Sequence, residues 1–197
     1  MADKIEAYFK NHNGILTTLE LKNSGYHYKK IQKLLENGEI EQLRRGYYRI
    51  VNEDYYSDIP IITTLFPDAI LCLQSALNYY DYIDRNPSSW HIAVKNTSTR
   101  TRFNIDCIQI KPHFITPAKY PIGITEAVID GFNIKIYDRE RTICDVLSYK
   151  NKIDAESYSQ AIQSYLSDSK RNIAMLMKYA SQLHVEKKAR EVLSPWL

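Results

Sequence analysis

The hydrophobic positions at the start of the chain repeat with the spacing of three successive helices. The first helix is expected to end at residues 11–14, where turn-forming residues cluster. Thr17 begins a capping box, so a second helix should start there and stop before residues 24–25. Residues 26–37 predict a third helix with an apolar inner side and a polar outer side, which Gly38 terminates.

Strand-like alternation follows the third helix. Residues 40–43 and 47–51 predict two short strands around the basic tip Arg44-Arg45-Gly46. Two helices, a turn, a third helix and a hairpin, in this order, are typical of a winged helix-turn-helix. We therefore expect such a domain at residues 1–52.

The rest of the chain predicts a larger mixed domain at residues 53–197, joined through a linker at residues 52–58. Strand-like runs indicate a sheet of about four strands, at residues 90–94, 105–110, 124–129 and 132–137. Helical segments are expected at residues 59–65, 73–80, 139–147, 154–166, 169–183 and 185–193. The predicted fold class is α+β, with the winged helix-turn-helix first and helices at the C-terminus.

The positive charge is concentrated in the first module. The chain has a formal net charge of +3, and residues 1–50 hold nine basic and six acidic residues. The remaining residues balance at 17 of each sign. A basic concentration in a small module is the footprint expected of a phosphate-binding surface.

The third helix and the hairpin tip supply the candidate DNA contacts. The major groove accepts one helix, and basic wing residues can hold the backbone or enter the minor groove. The candidate residues are Ser24, Tyr26, His27, Tyr28, Lys29, Lys30, Lys33, Arg44, Arg45, Tyr47 and Arg49. The alternative is that the winged helix binds protein and that its lysines form a solvated helix face.

Catalytic chemistry has little support in the sequence. Cys72, Cys107 and Cys144 lie far apart, and the five histidines are scattered. A metal-dependent nuclease pattern would use Asp106, Asp130 and Lys135, but Asn133 stands where a further acidic residue is expected. We expect no catalytic residue, no metal and no cofactor. No apolar run is long enough to span a membrane and the N-terminus is charged, so a cytoplasmic protein without a membrane partner is expected.

Two further groups of charged residues form a candidate functional surface of the second domain. The first lies in the string 139–145 and comprises Arg139, Arg141 and Asp145. Taken in isolation, it favours local ion pairs that fix a helix N-terminus against the sheet. The second group, Arg100 and Arg102, lies in a polar loop that could extend a DNA footprint or contact another partner.

The chain resembles the AbiEi-type antitoxins of abortive-infection systems. The resemblance rests on the wing at residues 38–48 and on the string Tyr137-Asp138-Arg139-Glu140-Arg141-Thr142-Ile143-Cys144-Asp145-Val146-Leu147. It implies a bacterial antitoxin of a type IV toxin–antitoxin pair in phage defence, which represses its own operon by binding inverted repeats. It also implies a nucleotidyltransferase-like toxin as functional partner, with neutralisation by the C-terminal domain and no direct complex required.

Other functions stay open at this stage. One is a ligand-responsive transcription regulator whose C-terminal domain is a sensor, and another is a nucleic-acid-processing enzyme. A monomer or weak dimer is expected, with two copies on an inverted repeat, because DNA alone can bring two copies together.

Overall fold

The computed structural model describes residues 2–51 and 57–194, and it contains two compact units. The first comprises Met1–Pro67 with Asn104–Ile108, and the second comprises Asp68–Phe103 with Gln109–Leu197. Of the expected linker at residues 52–58, residues 52–56 lie outside the described part. The division of function at residue 52 stays a prediction.

The first unit has the element order of a winged helix. Its elements are α1 Ala2–Lys10, β1 Ile15–Thr17, α2 Thr18–Asn23, α3 Tyr28–Glu36, β2 Ile40–Arg44, β3 Tyr47–Ile50 and α4 Ile59–Leu65. The three strands form an antiparallel sheet in the order β1-β3-β2. Phe9, Leu16 and Leu21 are fully buried at the centre of its core. The predicted three helices and hairpin are confirmed.

The start of α2 is fixed by the capping box. The Glu20 amide donates to the Thr17 hydroxyl at 3.2 Å, and the Thr17 amide donates to Glu20 Oε2 at 2.7 Å. The bond from the Thr17 amide lowers the pKa of the Glu20 carboxyl. Two backbone donors at the helix start are thereby satisfied.

We expect Thr17→Ala to lower the free energy of unfolding by about 1 kcal/mol, because the α2 N-terminus loses its cap. Thr17→Ser keeps the hydroxyl and should lose less than half of that amount. Urea unfolding of the three proteins measures the difference, and equal stability of Thr17→Ala and the unchanged protein would contradict the prediction.

The second unit is built on a mixed sheet of five strands. The strands are β4 Ile70–Leu71, β5 Trp90–Lys95, β6 Ile110–Ile115, β7 Ile124–Ile129 and β8 Phe132–Tyr137, in the order β6-β5-β4-β8-β7. Neighbours β5/β6 and β4/β8 are parallel, whereas β4/β5 and β7/β8 are antiparallel. Asp130 and Gly131, both with positive φ, form the predicted hairpin turn between β7 and β8.

Two details of the sheet differ from the prediction. The α+β fold class is confirmed, but the sheet has one strand more than expected, because β4 has only two residues and is too short to show alternation. The strand expected at residues 105–110 is wrong, since β6 covers Ile110–Ile115 and Asn104–Ile108 belongs to the first unit. Pro112 made residues 110–115 look unlike a strand, because proline cannot donate a hydrogen bond within a sheet. It is tolerated here because β6 is an edge strand.

In the part of the second unit that the structure describes, five α-helices accompany the sheet. They are α5 Leu73–Tyr79, α6 Arg139–Ser148, α7 Ala155–Ser167, α8 Ile173–Leu183 and α9 Glu186–Leu193. They share a hydrophobic core that includes Ile143, Leu147 and Leu176, all fully buried. Among the described residues, no helix has the length and apolar character needed to cross a membrane.

Candidate nucleic-acid interface

The turn that leads into α3 holds three of the candidate residues in different environments. Ser24 ends α2, and its hydroxyl donates to the Glu20 carbonyl at 2.8 Å. Tyr26 is half-buried and packs against the core of the first unit. His27 is exposed at the N-cap of α3, with an extended backbone and no side-chain bond to the helix start. The His27 ring is therefore presented to solvent at the end of α3 that carries the positive dipole.

The exposed side of α3 is mainly aromatic and basic. Its buried side carries Ile31 and Leu34, which belong to the core of the first unit. Its exposed residues are Tyr28, Lys29, Lys30, Lys33 and the acidic Glu36. Tyr28 is 70% exposed, a large value for an aromatic side chain.

The three lysines of α3 keep their side chains exposed. Lys30 Nζ donates to the Gly25 carbonyl at 3.3 Å and lies 5.6 Å from the centroid of the Tyr26 ring. In the described part of the chain, Lys29, Lys30 and Lys33 make no ion pair. Exposed cations that form no ion pair are available to bind phosphate groups.

The wing is a tight hairpin that is held against α2. Arg44 pairs with Tyr47 across the strands, so Arg45 and Gly46 form the tip. Gly46 has φ +87°, a value that favours glycine, and its carbonyl accepts the Thr18 amide at 2.9 Å. This bond fixes the wing tip to the N-terminus of α2.

Arg44 ends β2 and is half-buried, whereas Arg45 lies at the wing tip. The Arg44 guanidinium lies 4.5 Å from the centroid of the Tyr47 ring, which restrains it without removing its charge. Arg45 is exposed. Arg44 and Arg45 make no ion pair within residues 2–51 and 57–194.

Arg49 is placed differently from the other wing arginines. It lies opposite Glu41 on the neighbouring strand, and its Nε donates to Glu41 Oε1 at 2.6 Å. The same two side chains form a salt bridge, and Arg49 is 23% exposed. Glu41 is therefore a residue of this surface that the sequence reasoning missed, and it neutralises much of the charge of Arg49.

The string 139–145 of the second unit forms a buried ion pair at the start of α6. Arg141 is 1% exposed, and its Nε donates to Asp145 Oδ1 at 3.0 Å. Arg141 Nη1 donates to the carbonyls of Lys119 and Ile122, both at 2.7 Å. Burial raises the pKa of the Asp145 carboxyl, although the Arg141 guanidinium opposes this shift. This arrangement is the local ion pairing that the sequence favoured for these two residues.

Arg139 and Glu140 connect α6 to the neighbouring helices. Arg139 Nε donates to Asp168 Oδ2 at 2.8 Å, and its guanidinium lies 4.6 Å from the centroid of the Tyr80 ring. Glu140 is buried and accepts the Asn172 amide at 2.8 Å. Burial raises the pKa of the Glu140 carboxyl. These contacts join the start of α6 to the end of α7 and the start of α8.

The loop arginines have contrasting environments. Arg102 forms a bidentate pair with Asp68, with distances of 3.2 and 2.5 Å. Arg100 is exposed, and its guanidinium lies 4.6 Å from the centroid of the Phe114 ring. Of the five candidate residues of the second unit, Arg100 is the exposed one, because the other four are at least partly buried in ion pairs.

The second unit also contains a buried histidine pair that the sequence did not indicate. His91 in β5 and His113 in β6 are 4% and 9% exposed, and His113 Nε2 lies 3.2 Å from His91 Nδ1. Burial, with the neighbouring His113 and Lys111, lowers the pKa of His91 to about 3. Burial, with Lys111 and Lys152, lowers the pKa of His113 to about 4. Both rings are therefore neutral at pH 7, and one donates to the other.

The thiols and the potential metal ligands are dispersed. Cys72 and Cys144 are buried and Cys107 is half-buried, and all three are free. Burial raises the pKa of each thiol. Within the described ranges, no group of three or more His, Cys, Asp or Glu side chains could hold a metal ion. Among the candidate residues in the described part of the chain, the cations without an ion pair lie on α3 and the wing, apart from Arg100.

Residues 3–51, the first quarter of the chain, match a family model described as "Transcriptional regulator, AbiEi antitoxin". The chain thus carries an AbiEi-type regulator domain at its N-terminus, and this domain contains α3 and the wing. No curated protein matches the chain.

Among solved structures, the crystal structure of the RV2827C protein from Mycobacterium tuberculosis has a similar fold. The two chains superpose with a TM-score of 0.58 at 11% sequence identity. The match covers 98% of this chain and 80% of the mycobacterial chain. The two proteins therefore share an architecture that extends beyond the regulator domain.

Proposed function

We propose that the protein is a DNA-binding antitoxin that represses its own operon, with α3 in the major groove and the wing on the backbone or in the adjacent minor groove. The observation that carries this proposal is the set of cations on α3 and the wing that make no ion pair in the described part of the chain, namely Lys29, Lys30, Lys33, Arg44 and Arg45. The match of residues 3–51 to an antitoxin regulator family supports it. Net positive charge on one face favours sequence-independent contacts with phosphates.

The contacts divide into two kinds. Lys29, Lys30 and Lys33 are long, mobile cations suited to phosphates. Tyr28 and His27 stand at the N-terminal end of α3, the end that a recognition helix presents to base edges. Sequence preference would therefore depend on the start of α3, and the salt-dependent part of the affinity on its lysines and the wing.

The second unit would provide the antitoxin activity. We propose that it counteracts a nucleotidyltransferase-like toxin encoded beside this protein, with or without direct contact. Its exposed Arg100 is the candidate residue for that activity, whereas Arg102, Arg139, Arg141 and Asp145 stabilise the unit through ion pairs. Co-expression with the neighbouring gene tests this part, and failure of the protein to restore growth would overturn it.

The experiment for the DNA-binding part is a mobility shift on the duplex immediately upstream of the protein's own gene. Binding is titrated at several salt concentrations beside a scrambled duplex of equal length. Preference for the native duplex, with affinity that falls steeply with salt, supports an autorepressor. Equal weak binding to both duplexes, or no binding, would overturn the proposal.

The double variant Arg44→Gln/Arg45→Gln should weaken binding to both duplexes by similar factors. The slope of log affinity against log salt should fall by about 2, because binding releases about one counterion for each phosphate that a side chain neutralises. Arg49→Gln is the matched control, since Glu41 already neutralises that arginine. Its slope should change by less than about 0.5. An unchanged slope in the double variant would contradict the assignment of the wing.

A further inference from the structure

A cleft in the first unit runs along the side of α3. It has a volume of about 420 Å³. The lining residues come from α1, from the turn before α3, from α3 and from the segment between α3 and β2. They are Ile5, Tyr26, Lys30, Lys33, Leu34, Asn37 and Glu39. This volume lies within the range of about 300–1,000 Å³ typical of small-molecule sites.

The lining is divided between apolar and charged groups. Ile5 and Leu34 form the apolar floor, and the half-buried Tyr26 adds an aromatic ring. Lys30 and Lys33 of α3 also line the cleft, and Lys30 Nζ donates to the Gly25 carbonyl at 3.3 Å. A ligand with an apolar body would bury that body against the floor and leave a charged group near the lysines.

The acidic residue of the cleft, Glu39, already has one hydrogen-bond partner. Asn37 Nδ2 donates to Glu39 Oε1 at 2.8 Å, so the Glu39 carboxylate has one partner and a second oxygen that can accept. Two lysines and one glutamate give the lining a net positive charge. The cleft therefore suits an anion that carries a hydrogen-bond donor at its far end.

We propose that this cleft binds a small aromatic carboxylate, and that the bound carboxylate weakens DNA binding. The carboxylate would accept from Lys30 and Lys33, the ring would pack on the apolar floor beside Tyr26, and a distal hydroxyl would donate to Glu39. Charge-assisted hydrogen bonds to both lysines would provide selectivity for the anion over a neutral molecule of equal shape.

The regulatory part rests on the proposed DNA-binding function, because Lys30 and Lys33 belong to both surfaces. A carboxylate held between these lysines compensates charge that would otherwise attract phosphate groups. By linkage, a ligand that weakens DNA binding must itself bind less tightly when DNA is bound, by the same factor. Such an effector site lies in the regulator domain itself and needs no signal from the second unit.

The test uses 3-(4-hydroxyphenyl)propionate as the probe and 3-(4-hydroxyphenyl)propan-1-ol as its neutral counterpart. Amide chemical shifts of the full-length protein are followed by NMR during titration with each. The propionate should produce saturating shifts at residues of the cleft and bind at least about tenfold more tightly than the alcohol. Lys33→Gln should weaken propionate binding by about tenfold, whereas Lys29→Gln, on the same helix but outside the cleft lining, should leave it unchanged.

A mobility shift with and without saturating propionate tests the regulatory part. DNA affinity should fall about tenfold or more with the propionate and not change with the alcohol. Absence of shifts at the cleft, or equal binding of the two molecules, overturns the ligand site even if the protein binds DNA. Propionate binding at the cleft without any DNA binding retains the ligand site and overturns the proposed function. Binding of both with no effect on each other overturns the regulatory coupling.

Discussion

Arg141→Met is expected to lower the free energy of unfolding of the second unit by about 3–5 kcal/mol. The substitution removes the only guanidinium that pairs with Asp145 in the described structure, and the carboxylate of Asp145 then stays nearly buried without a cation. The carbonyls of Lys119 and Ile122 lose a donor at the same time. Removing one member of a buried pair costs far more than the pair itself contributes, because the remaining charge is left without compensation.

Urea unfolding followed by the fluorescence of Trp90 in β5 measures this loss, in a Trp196→Phe background. The matched variants are Asp145→Leu and the double variant Arg141→Met/Asp145→Leu. The double variant should be more stable than the sum of the two single losses predicts, since neither charge is left alone. A loss below about 1 kcal/mol for Arg141→Met, or strictly additive losses, would contradict the assigned role.

Gly123 shows how closely the rest of the unit is built around Arg141. Its backbone has φ +76°, and a Cβ at this position would overlap Cβ of Arg141. The Gly123 carbonyl also accepts the amide of Asp138, the N-cap of α6, at 2.7 Å. The distinctive string 139–145 is therefore explained in large part by packing, and its specificity in sequence reflects a buried structural network.

The sequence predicted well those elements whose signals are local. Hydrophobic periodicity, the capping box and the Asp130-Gly131 turn each depend on residues close together in the chain, and the structure confirms the corresponding helices and hairpins. The edge strand β6 could not be recognised in the same way. Its pairing partner, β5, is separated from it by a loop, and residues 105–110 offered a better alternation than Ile110–Ile115.

The charge of the candidate surface depends on a register that the sequence does not reveal. A regular hairpin with Arg45 and Gly46 at its tip would place Gln42 opposite Arg49. A bulge between Gln42 and Arg44 shifts the pairing by one residue, so that Glu41 lies opposite Arg49 instead. The ion pair of Arg49 follows from this shift. Sequence reasoning therefore identified the basic residues of the wing, but could not distinguish which of them keep their charge available.

The histidine pair predicts a large loss of stability in acid. The pKa values of His91 and His113, about 3 and about 4, lie below the value of 6.5 for a free histidine. The unfolded chain therefore binds more protons than the folded one below pH 6.5. Stability from the neutral pair is complete above this pH and is lost as the pH falls, by up to about 1.4 kcal/mol per pH unit for each histidine. Between pH 7 and pH 5 the two histidines should together cost about 4 kcal/mol.

Buried carboxyls act in the opposite direction. Burial raises the pKa values of Asp138, Glu140 and Asp145, and a carboxyl with a raised pKa binds protons more readily in the folded state. These groups stabilise the fold as the pH falls, so the total acid dependence is smaller than the histidine contribution. The comparison that isolates the histidines is between the unchanged protein and a variant without them.

The variant His91→Leu/His113→Leu removes both partners of the buried bond and leaves neither ring nitrogen unsatisfied. Its free energy of unfolding between pH 7 and pH 5, from urea titrations at constant salt, should fall by about 4 kcal/mol less than that of the unchanged protein. His113→Leu alone should recover about half of that difference. Parallel pH curves for the protein and the double variant would mean that the histidines are protonated equally in the folded and unfolded chains, contrary to their burial between β5 and the edge strand β6. A difference that grows as the pH falls from about 6.5 to 5, and that is halved in the single variant, would identify this pair as the group whose neutrality the folded sheet requires.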